Sequence, residues 1–411
     1  MSRRFVITRI TMNGNHPLIC AVFEDHRMLE VQCIAEDAPP QILNNIYVGR
    51  VSQVVKNIGA AFVEVEKGRK CFLPLSDLKQ PVFIKRISDK QPLSQGDELL
   101  VQIVREAVKT KDPQVTTNLS LAGIYSVVTS SDKQLGISGK LDADKRAVLR
   151  ALVKPVHNEQ VGVIVRTNAA DLSPDDADII TSEIQSLQDQ METILSQAPY
   201  RTIYSMVYEA PPEYIRILQN QPQKLLDEVV TDQADIYQEL IAFADAHPTM
   251  RLSEKLHFYE DKQLDLHKLY SIEIQMERAL SKKIWLKSGA NLLIEPTEAM
   301  TVIDVNSSKN VKKKLPAEQH LQVNLEAAAE IASQLRLRNI SGIIIIDFID
   351  MSSSEDKEQL LAAMRSFVKT DPVKTEVIDL TRLGLMELTR KKTRRPLSEQ
   401  MNISGECGKK S

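Results

Sequence analysis

The chain has 411 residues, 43% hydrophobic and 26% charged, which is enough for several packed cores and predicts two to four domains. No run approaches the roughly 18 apolar residues of a membrane span, and the opening MSRRFVITRI lacks a signal-type apolar stretch, so a cytoplasmic protein is expected. A net charge of −3 argues against a uniformly basic coat, but residues 281–411 hold 21 Lys+Arg against 17 Asp+Glu, a modest bias towards an anionic partner.

In chain order, residues 4–11 and 17–34 alternate apolar and polar around Asn13-Gly14-Asn15, as antiparallel strands joined by a tight turn do. After Pro39 and Pro40 come five strand-like runs, IYVGRVSQVV, IGAAFVEV, KCFLPL, GDELLVQIVRE and VTTNLSL, whose spacing suits a small barrel such as an OB-fold. Residues 122–209 mix short strands with helices. The longest helix is predicted over Ser173 to Ala198, with Pro174 and Asp175 in its first turn and Ile180, Ile184, Leu187, Met191 and Ile194 on one stripe. Residues 211–280 read as largely helical with two proline breaks. Beyond Trp285, NLLIEP, TVIDVN, GIIIIDFID and KTEVIDL read as strands separated by helices at about 317–338 and 354–370, the alternation of an α/β layer.

The chemistry concentrates in TVIDVNSS and GIIIIDFIDMS, apolar strands that end in acid or amide groups where charge is uncommon. With a period of two, Asp304 and Asn306 share a face with Val302, while Ile303 and Val305 take the other. Asp347 follows four isoleucines. If the two strands are neighbours, Asp304 and Asp347 meet at the carboxyl edge, where open α/β sheets bind ligands. Two carboxylates and an amide are hard oxygen ligands suited to Mg²⁺, which can activate water and neutralise charge on a reacting phosphate. An Asp at a strand end is also a common cap for the next helix, and Asp350, before Ser352, Ser353 and Ser354, is the better candidate for that role. Between the acidic strands, Lys309, Lys312, Lys313 and Lys314 could grip phosphates or simply be solvated. Leu321, Leu325, Ala328, Ala332 and Leu335 form a core-facing stripe on the following helix.

On AMTVIDVNSS, VNLEAAAEIASQLRLRNISGIIIIDFIDM and RLGLMELTRKK, the chain resembles the ribonuclease E/G family over nearly all of residues 1–400. The resemblance implies an α/β multidomain, α+β overall protein. A discontinuous domain like ribonuclease H would span 1–37 and 210–280, with an OB-fold of the S1 type at 38–121 and a sensor of the RNA 5′ end at 122–209 inserted in it. A catalytic domain like deoxyribonuclease I would follow at 281–397, and a tail at 398–411. It further implies Asp304 and Asp347 as Mg²⁺ ligands, with Asn306 contacting the scissile phosphate.

From spacing alone, Phe62 and Phe72 fill the barrel interior; the resemblance instead matches them, with Lys111, to residues that clamp single-stranded RNA, where base stacking is worth about 1–3 kcal/mol per base. Arg166 and Thr167, by spacing an ordinary strand end, match a pocket for a 5′-monophosphate, and Gly123 and Val127 match residues beneath the terminal base. An arginine fork and a hydroxyl suit a terminal phosphate.

The chain departs from the family in its tail, GECGKKS. The family motif C-P-x-C-x-G shares zinc between subunits, whereas here Cys407 stands alone, Gly408 replaces the proline and Lys410 the second thiolate, so no zinc link is expected and a dimer would lack it. Cys20, Cys33 and Cys71 form no C-x-x-C pair with one another and are expected to be reduced thiols. Three function classes remain: an endoribonuclease acting in RNA decay and ribosomal RNA maturation on messenger RNA and ribosomal precursors, a non-catalytic RNA-binding protein, and a phosphodiesterase acting on DNA or small nucleotides. Retention of Asp304, Asn306 and Asp347 favours the first.

Overall fold

Short apolar runs broken by glycine, proline and asparagine arrange into four sheets among the described residues. The computed structural model describes residues 2–12, 14–35, 42–106, 112–247, 251–307 and 317–406. Lys111, Cys407 and the lysines of 309–314 lie outside them. The chain divides into two units: Met1–Ala38 with Leu225–Ala246 and Leu252–Ser411, and Pro39–Lys224 with His247–Arg251.

In the first unit, Arg3–Arg9, Leu18–Glu24 and Arg27–Ile34 form an antiparallel meander. Phe5, Val6 and Ile7 are all fully buried, so the first strand needs cover on both faces and a partner on its other edge. That partner is Leu226–Thr231, parallel to it, followed by Leu256–Phe258. The expectation of a largely helical 211–280 is corrected here: short β-branched segments such as Asp227–Thr231 pair with an edge distant in sequence, which local periodicity does not report.

The second sheet of this unit runs in the order Lys283–Trp285, Asn291–Pro296, Met300–Asn306, Gly342–Asp347, Leu385–Arg390, Thr375–Leu380. Its central pair is parallel, joined by the helix Ala317–Leu337; the helix Ser354–Val368 follows. Both helices cover one face, where Ile303, Val305, Ile344, Ile346 and Leu388 pack against Ala327, Ala328, Ile331, Leu360 and Met364. Leu335 is buried in that layer and Leu321, Leu325 and Ala332 lean on it, so the stripe is core packing. Residues 385–390, not read as a strand, insert between the isoleucine strand and Thr375–Leu380. The helix is capped by Ser353, whose hydroxyl accepts from the Asp356 N–H, and not by Asp350. Asp350 lies too far upstream to reach the first-turn N–H groups.

In the second unit, Ile46–Val55, Ala60–Glu66, Arg69–Pro74, Gln114–Thr116 and Glu98–Arg105 pair in succession, and the first pairs again with the last, closing a barrel of the OB type. Val51, Ala61, Val63, Cys71, Leu73, Val101 and Ile103 fill it. Burial pushes the Cys71 thiol up to about 12, as it does that of Cys33 in the first unit, so both are inert at neutral pH. The run VTTNLSL divides, its end joining a four-stranded sheet in the order Ser120–Ala122, Ser126–Thr129, Gly162–Val165, Leu135–Ile137. The helix Ala177–Gln197 packs on that sheet through Ile180, Ile184, Met191 and Ile194, entered by a 3₁₀ turn that Ser173 and Asp176 cap reciprocally. Gln188, not Leu187, takes the buried place on its stripe; its amide donates to the Val156 carbonyl and accepts from the Asn158 N–H.

Candidate active site

Met300–Asn306 and Gly342–Asp347 run parallel in a register that sets Asp304 directly opposite Asp347 at their carboxyl ends. In-register neighbours project to the same face, here the one the helices leave uncovered: Ile303 and Ile346 are fully buried, whereas Val302 is 37% exposed and Ile343 48%. Asp304 is half-buried and Asp347 exposed. The Asn306 amide donates to Asp304 Oδ2 at 2.6 Å, and no other partner of either carboxylate is present among the described residues. Behind Asp347 the chain is held from the helix side. The fully buried Asn324 donates to the Ile349 carbonyl at 2.8 Å and accepts from the Ile349 N–H at 3.0 Å, and His320 Nδ1 lies 2.9 Å from the Asp350 carbonyl. This contact of Asn324 was not legible in the sequence: a polar residue inside an apolar helix stripe was its only signal.

In the barrel, Phe62 and Phe72 are in-register partners on adjacent strands, with ring centroids 6.1 Å apart in an edge-to-face arrangement. Both are half-buried, while their neighbours Ala61, Val63, Cys71 and Leu73 are fully buried. The interior reading from spacing is therefore corrected. The pleat gives the inside to the neighbours and turns the two rings outward.

In the four-stranded sheet, Arg166 donates one guanidinium N–H to the Gly123 carbonyl and another to Asn220 Oδ1. The Arg166 N–H donates to the Tyr125 carbonyl at 2.7 Å. Thr167 is exposed, its hydroxyl 2.8 Å from that of Ser138, and Val127 pairs with Ile164 on a partly exposed face. Sequence reading missed Glu183, on the flank of the Ile180/Ile184 stripe. Its carboxylate accepts from the N–H groups of Ile124 at 2.8 Å and Tyr125 at 2.9 Å and from the Ser126 hydroxyl at 2.7 Å. A Cβ on Gly123 would lie 2.5 Å from that carboxyl carbon, so a side chain there would push the carboxylate out of these bonds. Burial raises the Glu183 carboxyl pKa, opposed by these hydrogen bonds. Burial lowers that of Arg166, opposed by the charge of Glu183.

An acid pair at a parallel strand edge and outward aromatics on a closed barrel are features of a nucleic-acid enzyme, and comparison with known proteins narrows the class. Residues 120–393 match the Ribonuclease E/G family, and residues 41–118 match the S1 RNA binding domain. The chain belongs to the ribonuclease E/G family. It is 33% identical over 396 residues to Ribonuclease G of Salmonella typhimurium (strain SL1344), a match covering 93% of this chain and 79% of that protein. To Ribonuclease E of Synechocystis sp. it is 32% identical over 410 residues, covering 97% of this chain and 59% of the relative. To Ribonuclease G of Escherichia coli (strain K12) the identity is 31% over 395 residues, 93% of this chain and 79% of the relative. Membership in the ribonuclease E/G family supports a hydrolase acting on RNA, and the S1 match coincides with the barrel that bears Phe62 and Phe72. No helix among the described residues is long and apolar enough to cross a membrane.

Proposed function

We propose that the protein is a Mg²⁺-dependent endoribonuclease that cuts single-stranded RNA at Asp304 and Asp347, leaving 5′-phosphate and 3′-hydroxyl ends. The in-register pairing of these two carboxylates on an uncovered sheet face carries the reading. The donor set fits the ion. No group of three or more His, Cys, Asp or Glu able to cage a metal occurs among the described residues, and Mg²⁺ is commonly bound by one or two carboxylates with waters and substrate phosphates. Asp304 and Asp347 would hold it, and when bound it supplies water activation and charge neutralisation at the phosphate. Asn306, whose amide donates to Asp304, would contact the scissile phosphate. Water attacks phosphorus, the bond to the ribose 3′ oxygen breaks, and that oxygen leaves as a hydroxyl after taking a proton.

Phe62 and Phe72, with Lys111, would stack and hold unpaired bases. Arg166, Thr167, Gly123 and Val127 would form the site for a 5′-monophosphate. Arginine has five N–H donors, so the bonds of Arg166 to Gly123 and Asn220 leave others for a terminal phosphate. The same reading takes residues 1–37 and 210–280 as a ribonuclease H-like domain and 281–397 as a deoxyribonuclease I-like domain. Its substrates are messenger RNA and ribosomal RNA precursors, and any dimer forms without a zinc link. The test is incubation of the purified protein with end-labelled single-stranded RNA and Mg²⁺, followed by end-group analysis. Fragments with 5′-phosphate and 3′-hydroxyl ends are expected. A 2′,3′-cyclic phosphate as the main product would overturn the mechanism, and binding without cleavage would favour the non-catalytic alternative.

A further inference from the structure

The face of the six-stranded sheet that bears the acid pair continues two strands beyond it, across buried Asn291 and half-buried Leu293. Asn306 is in register with Asn291, and Asn291 with Trp285 on the edge strand Lys283–Trp285; likewise Asp304 is in register with Leu293, and Leu293 with Lys283. In-register residues project to one face, so Trp285 and Lys283 share the surface of Asp304, Asn306 and Asp347. At about 4.8 Å per strand, the edge strand lies about 10 Å across the sheet from the first acid. Trp285 is the only tryptophan of the chain and is 64% exposed, unusual for so large an apolar side chain. The Lys283 ammonium lies 4.1 Å from its ring centroid, over one face of the indole.

We infer that Trp285 is a base-stacking platform, and Lys283 its phosphate-contacting companion, for a nucleotide of single-stranded RNA flanking the bond cut at Asp304 and Asp347. The inference rests on the ribonuclease reading above. A tryptophan face and an adjacent cation are the two elements by which unpaired nucleic acid is held without base-pair readout. The position adds a reason for RNA as the occupant: the platform continues the surface of the acid pair, so a strand crossing the carboxylates passes over the edge strand. None of the sequence motifs marks this residue, because a tryptophan two residues from a lysine has no spacing signature of its own.

Because Trp285 is the sole tryptophan, the inference can be read without any cleavage. A single-stranded 2′-O-methyl oligonucleotide of about ten nucleotides, within the site sizes of single-strand binders, is titrated into the full chain while anisotropy of a labelled oligonucleotide reports binding. Indole emission should be quenched along the same saturation curve. Trp285→Ala should lower affinity and the kcat/KM of unmodified RNA about 5- to 150-fold, the range for one stacked base, while Trp285→Phe retains most of both. Abasic nucleotides placed singly along the oligonucleotide should find one position whose loss matches the alanine variant, and that position should cost nothing further in Trp285→Ala. Saturation of the protein by RNA with unchanged emission, or additive losses in that cycle, would overturn the platform and leave the ribonuclease standing. Failure to bind or cut any single-stranded RNA would remove both.

Discussion

The first unit places acids near the carboxyl ends of parallel strands in both its sheets, and the two groups differ in what already surrounds them. At the carboxyl ends of the parallel strands of the five-stranded sheet, Asp232, Glu260, Asp261 and Asp265 line a groove of about 520 Å³. Three of the four accept from donors within the chain. Asp232 accepts from the Thr8 hydroxyl at 2.9 Å and the Gln233 amide at 2.7 Å, Asp261 from the Gln263 N–H at 2.8 Å, and Asp265 from the Lys268 ammonium at 2.6 Å. Lys268 holds the Asp265 carboxyl below its ordinary range. In the six-stranded sheet, Asp304 has one amide and Asp347 nothing among the described residues, and register sets them side by side. Acids supplied with internal donors belong to the frame. Two acids facing each other across a ladder with donors unsupplied are open to positive charge from outside, which is what the proposed Mg²⁺ would bring.

The sharpest break of this contrast is at another acid in the same unit. Asp371 pairs with Arg390 at 2.7 Å, their side chains 6% and 2% exposed, and Arg390 also donates to Asn339 Oδ1 and the Ile340 carbonyl. Asp371→Ala leaves that guanidinium buried without its counter-charge and should cost about 3–5 kcal/mol of stability in denaturant unfolding. An unchanged midpoint would show that partners do not identify the framework acids. Asp304→Asn and Asp347→Asn should do the reverse: stability close to wild type, RNA affinity nearly unchanged, and a loss of at least about 3 kcal/mol, about a hundredfold, in turnover. Near-normal turnover of either variant at limiting Mg²⁺ would remove the assignment.

A smaller effect is expected at Arg166. Its replacement by Ala should cost about 1.5–3 kcal/mol in kcat/KM on 5′-monophosphorylated RNA and leave matched 5′-hydroxyl RNA almost untouched. Equal losses on both would point to damage of the loop that Arg166 and Glu183 hold together. The smallest effects are expected at Asp261→Asn, in the groove, and Asp350→Asn, beyond the strand end: turnover within about twofold of wild type. A loss at Asp261 comparable with that at Asp347 would erase the contrast between the two sheets.

Local pattern in the sequence determined the acidic strands, their facing, the barrel and the long helix Ala177–Gln197, because a two-residue pleat and a 3.6-residue turn are properties of consecutive residues. It also marked Asp304, Asn306 and Asp347, since acids closing isoleucine-rich strands stand out without any tertiary information. Only the tertiary structure decided that Asp304 and Asp347 are register partners, that Leu226–Thr231 and Leu256–Phe258 are strands, and that residues 385–390 enter the six-stranded sheet beside the isoleucine strand. It likewise revealed Glu183 under Gly123, Asn324 behind Asp347, and Trp285 on the face of the acids. The physical reason is common to all of these. Each depends on residues far apart in the chain, and hydrogen-bonded ladders and buried polar contacts between such residues leave no period in the segments that make them.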